Sequence, residues 1–95
     1  MDKELILYHL NIAKKEINKL LIISNNIDDK IAEEFQRDAK ICLRKINLII
    51  DKINKNYDKK IIIKNMKDFG KKWNSMENLM QNIYDVLKGK KTYDQ

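Results

Sequence analysis

Four lysines, Lys60, Lys64, Lys67 and Lys71, recur at intervals of four, three and four. On an α-helix that spacing sets them along one stripe. Such a row of ammonium groups suits phosphates or the carboxylates of an acidic protein. Lys59 and Lys72 widen the row, and Asp68 is the only acid between residues 59 and 72. The row has no arginine to read base edges, no interleaved exposed aromatic to stack on bases and no helix-turn-helix glycine pattern. It is an anion-attracting ridge without sequence-reading chemistry.

The other reactive residues are sparse. His9 is the only histidine, and neither Asp2 nor Glu4 stands at a helical spacing that would build a facial metal site with it. A di-iron bundle needs two Glu-x-x-His motifs, and the chain has none. Glu33, Glu34 and Asp38, with Asp28 and Asp29, crowd one segment. Paired carboxylates bind divalent cations or share a proton, but acids at a helix start also complement its dipole, the plainer reading. The lone Cys42 excludes an intramolecular disulfide and any multi-cysteine zinc site, and its position on an apolar stripe marks it as core. No phosphate-cradling glycine loop or nucleophile elbow occurs. The chain is expected to have no catalytic residues, no cofactor and no metal, and not to be an enzyme.

The elements that position these residues follow from a heptad-spaced apolar seam. In the last stretch it runs Ile62, Met66, Phe69, Trp73, Met76, Met80, Ile83 and Leu87, alternately four and three apart. Trp73 with its methionines has the make-up of an adaptable groove, but its place on the seam favours core. Were this helix exposed on one side, the same stripe would be the first place to seek a partner. A helix is predicted over about 59–88, with Gly70 inside it and Gly89 at its C-terminal end, where a left-handed residue is favoured. A break near Gly70, giving four helices, is the alternative.

An earlier seam, Ile6, Leu10, Ala13, Ile17 and Leu20, flanked by Leu5 and Leu21, predicts a helix over about 3–24 begun by Asp2. A third, Ala32, Phe35, Ala39, Cys42, Ile46, Ile49 and Ile53, predicts a helix over about 27–55, with Asn26 and Asp29 resembling a capping box. Leu43 and Ile50 on one side of this seam, and Ile41 and Leu48 on the other, make it wide enough for two neighbours. Short turns make adjacent helices antiparallel, so the expected fold is all-α, an up-down-up bundle of three long helices. Residues 1–95 form one domain with a frayed tail at 89–95. Because the first helix is the shortest, apolar side chains such as Ile53 and Ile62 are expected to project past it. With Leu43 and Ile50 they form a candidate apolar partner surface.

Charge and composition set the function classes. The 95 residues carry a formal net charge of +6, contain no proline and are 36% charged. Residues 55–95 hold ten lysines against five acids, so the basic excess lies at the C-terminal end. The longest apolar run, Leu20 to Ile23, is far short of the ~20 residues of a membrane span. Met1-Asp2-Lys3-Glu4 lacks the basic-then-apolar order of a signal peptide, and a cytoplasmic protein is expected. No motif ties the chain to a family. In size, basic charge and helical make-up it is similar to small phage or plasmid inhibitors and to cytosolic bacteriocin immunity proteins. The expected function is a protein–protein interaction module, an adaptor or inhibitor acting through helix faces, with a homodimer as one arrangement. The alternative is a nucleic-acid-binding bundle using the lysine ridge.

Overall fold

The computed structural model describes residues 2–89. Three helices follow one another, α1 Lys3–Ser24, α2 Lys30–Asn54 and α3 Lys59–Leu87. An aspartate starts each of them. The carboxylates of Asp2, Asp29 and Asp58 accept from the backbone N–H of Leu5, Ile31 and Lys60 at 3.1, 3.0 and 2.9 Å. Each meets one of the donors a helix start leaves unpaired, worth about 1 kcal/mol relative to alanine. The expected capping by Asn26 is corrected here. Asn26 and Ile27 donate their N–H groups back to Ile23 and Ser24, which keeps them in the turn closing α1, so α2 begins at Lys30.

The second turn has its own cause. Asn56 adopts a left-handed φ of 58°, a conformation asparagine tolerates better than most residues. With it, Tyr57 N–H reaches Lys52 O and Asn56 N–H reaches Ile53 O at 3.0 and 3.1 Å. That paired return satisfies the last carbonyls of α2. Gly89, at φ 72°, ends α3 in the same left-handed way. The rest of the expected frayed tail, 90–95, lies outside the described residues.

The helices form an up-down-up bundle 48 × 18 × 16 Å across. α3 is unbroken through Gly70, so the four-helix alternative does not occur. The predicted α2 seam is buried throughout, from Ala32 to Ile53, and Ile31 joins it. α2 packs along both neighbours, whereas α1 and α3 meet only sparsely. Two ion pairs of opposite sense fix the antiparallel register of α2 and α3. Asp38 on α2 forms an ion pair with Lys72 at 3.0 Å, and Lys45 on α2 donates to Asp68. Surface pairs of this kind add little energy, but a slipped register would set like charges together. Gln36 on α2 holds the end of α1 through Ser24 Oγ and Asn25 Oδ1 at 3.1 and 3.2 Å.

Ile53 and Ile62 depart from expectation. They are 2% and 0% exposed, not projecting past the first helix. The reason is length in three dimensions: α1 reaches the α2–α3 turn, where Lys3 Nζ donates to Asn56 Oδ1 at 2.9 Å. Ile53 and Ile62 are enclosed there, while Tyr57, Ile61 and Ile63 of the same end stay exposed.

Candidate functional site

The sparse pairing of α1 with α3 leaves a groove of about 520 Å³ between them. Its α1 wall includes Leu5, Ile6, Ile12 and Ala13, and its α3 wall is Met66, Phe69 and Trp73. The walls combine seam residues, Ile6, Leu10 and Ala13 on α1 and Met66, Phe69 and Trp73 on α3, with the edge of a neighbouring stripe on each helix. On α1 that stripe is Leu5, His9, Ile12, Glu16 and Lys19, spaced four, three, four and three. On α3 it is Lys59, Ile63, Met66, Gly70, Trp73 and Glu77, spaced four, three, four, three and four. Rows so spaced stay on one helical face. Leu5 and Ile12 are 51% and 48% exposed, an unfavourable arrangement for two large side chains that share one strip.

Polar groups are few in the groove. His9 stands on its wall and packs edge-on to the ring of exposed Tyr8 at 5.5 Å between centroids. Glu16 accepts a hydrogen bond from the Tyr84 hydroxyl of α3, a contact that ties the two helices at this end. That bond to Glu16, with some burial, pushes the Tyr84 phenol above its usual range. Phe69 and Trp73 stack at a tilt, 5.8 Å between ring centroids. The seam on α3 is thus divided. Ile62, Met76, Met80 and Ile83 are core, joined by Leu79, whereas Met66, Phe69 and Trp73 are only partly buried and Leu87, expected on the seam, is exposed.

The lysine ridge lies elsewhere on α3. Lys60, Lys64, Lys67 and Lys71 are all exposed, and no ion pair to any of them is present among the described residues. Asp68 is engaged mainly outside the row, with Lys71 a lesser neighbour. Its carboxylate is taken by Lys45 of α2, whose hydrogen bond and charge hold it below the ordinary carboxylate range. Beside the ridge, Lys52, Asn65 and Lys64 border a smaller cleft on the α2 side.

The remaining candidates separate cleanly. Leu43 and Ile50 are partly buried against the core, and Ile53 and Ile62 lie within it, so the four do not form one free surface. Asp29 and Asp38 are engaged as helix cap and ion-pair partner, with Glu33 and Glu34 exposed beside them. Among the described residues no cluster of histidine, cysteine or acid is arranged to hold a metal ion. No helix among them is long and apolar enough to cross a membrane. Cys42 is fully buried, and burial, partly offset by Lys72 and Lys45, pushes its thiol up to about 11. Comparison of the chain with family models, curated proteins and solved structures finds no match.

Proposed function

We propose that this chain is a non-enzymatic interaction module, an adaptor or an inhibitor of the immunity-protein kind, that works by presenting helix faces to another protein. The observation that supports it is the open α1–α3 groove, whose walls hold Leu5, Ile12, Met66, Phe69 and Trp73 without a covering element. Apolar strips of this kind on a small bundle mark interaction surfaces. The test is retention of a partner from a lysate of the source cells on immobilised chain, with the Ile12→Glu variant beside it. Ile12 is exposed enough for the variant to fold, and its carboxylate would sit unpaired inside any apolar interface. A partner held by the natural chain and lost from the variant is the expected result. Equal retention on both, or retention of nothing, overturns the reading.

A second reading rests on the unpaired lysine ridge, which has the electrostatic character of a phosphate-binding surface. Four phosphate contacts give a slope of log affinity on log salt of about −3.6, or about a 150-fold loss between 50 and 200 mM. The Lys64→Glu/Lys67→Glu double variant is expected to abolish such binding to duplex DNA or RNA. Gel retardation that ignores salt, or that survives in the double variant, counts against this reading.

A further inference from the structure

We infer that the groove takes an acidic amphipathic helix about three turns long, seated across α1 and α3 as a fourth helix of the bundle. The inference rests on the interaction-module reading and adds the chemistry of the partner at that site.

Shape argues for a helix. The α1 wall extends from Leu5 to Glu16, a rise of about 16 Å at 1.5 Å per residue, which matches three turns of an occupant lying alongside. A second copy related by two-fold symmetry would set this face against itself. Such pairing also brings the unpaired lysines of α1 and α3 in the two copies together. The apolar stripe of a helix is convex, and its anchors at i, i+3 or i+4, and i+7 follow such a trough.

Charge argues for acid. The two flanking helices carry ten lysines against five acids. Lys72 and Asp68 are taken by α2, and Glu16 by the Tyr84 hydroxyl. Lys15 and Lys19 on α1, and Lys59 and Lys67 on α3, lie outside the lining itself and form no ion pair among the described residues; they outnumber Glu4 and Glu77, the acids of these helices that form neither ion pair nor side-chain hydrogen bond there. Carboxylates on the shoulders of an incoming helix complement these lysines, and lysines there are repelled.

Gly70 is the independent sign of a close neighbour. It stands at helical spacing between Met66 and Trp73, in the middle of α3, beside the residues that line the groove and not among them. A Cβ built there meets nothing within 4 Å. Nothing in the packing of the described residues calls for a helix-weakening residue at that point. A second backbone approaching closely does, because only glycine leaves the helix surface bare.

The test uses the whole 95-residue chain and two synthetic 14-residue peptides without tryptophan. Both carry leucines at i, i+3, i+7 and i+10. One has glutamates on its flanks and the other lysines. Trp73, the only tryptophan, reports docking by a blue shift in emission. The expected result is a saturable shift with the acidic peptide, weakened by salt, and affinity at least tenfold lower for the lysine peptide. Gly70→Leu is expected to fold, as open space surrounds the site, with binding reduced at least tenfold. Gly70→Ala raises the Tm by about 4–8 °C, as a stronger helix former should, and identifies the effect of leucine as obstruction. Ile12→Glu serves as a second blocking variant, with its melt recorded alongside. Equal affinity for both peptides, or undiminished binding by folded Gly70→Leu, overturns the inference but leaves the interaction-module reading to its own partner-retention test. An absent emission response overturns it too. A doubled solution mass that Ile12→Glu abolishes assigns the groove to a second copy and has the same effect.

Discussion

Phe35→Ala is expected to destabilise the bundle by about 3–5 kcal/mol, the range for losing a buried aromatic ring and leaving its cavity. Phe35 is 0% exposed and lies on the α2 seam, amid core residues contributed by all three helices. A chain this size has a total stability of about 5–14 kcal/mol. The variant should therefore melt at least ~12 °C below the natural chain, at about 4–8 °C per kcal/mol. Trp73→Ala removes a larger ring but should cost less, because Trp73 is partly open to the groove. Thermal melts followed by circular dichroism decide the matter. A Phe35→Ala melt within a few degrees of the natural chain, or below it by no more than Trp73→Ala, refutes α2 as the central packing element.

The second large effect is alkaline. The Cys42 thiol has an ordinary value of 9.0 and stands at about 11 in the fold, chiefly because burial penalises its thiolate. The unfolded chain therefore releases this proton first. Between about pH 9 and pH 11 the folded state binds more protons than the unfolded state, so stability falls as pH rises. The full difference is about 2–3 kcal/mol at 1.36 kcal/mol per pH unit, complete once pH passes the folded value. Lysines and tyrosines titrate in the same range, so the measurement is the difference between the natural chain and Cys42→Ala in urea unfolding at pH 8 and pH 11. The alanine variant starts from a lower stability and should lose less with alkali. An identical loss in both would remove Cys42 as the cause.

The sequence specified the bundle well because core position and helical period carry the same information. Ala39, Cys42, Ile46 and Ile49 recur at threes and fours and are all buried. Gly89 and the Asn54–Asp58 turn were legible for a related reason: backbone conformations that few residues tolerate leave a mark in composition. The start of α2 was misread because Asn26, Asp28 and Asp29 are all able caps, and only the hydrogen bonds from Asn26 and Ile27 back into α1 settle which is used. Ile53 and Ile62 were misplaced because helix length alone does not give the stagger of helices, which the Lys3–Asn56 contact marks here.

The groove was half legible. Leu5, Ile12 and Ile63 fall off the core seam at helical spacing, which was the available signal. Yet a heptad pattern does not say whether two helices that share a neighbour also touch each other. Met66, Phe69 and Trp73 read as core for that reason. Their partial burial reports a missing contact between α1 and α3, and no property of α3 by itself encodes it.

That missing contact also governs how quickly the chain reaches its native form. Nearly all the packing joins helices that are consecutive along the polypeptide, α1 with α2 and α2 with α3. The one pairing that would require ends some sixty residues apart to find each other is largely omitted. Little ring-closing entropy stands in the way, as in the helical proteins that assemble in microseconds to milliseconds. The same gap that leaves a surface unfilled spares the nascent chain its slowest search.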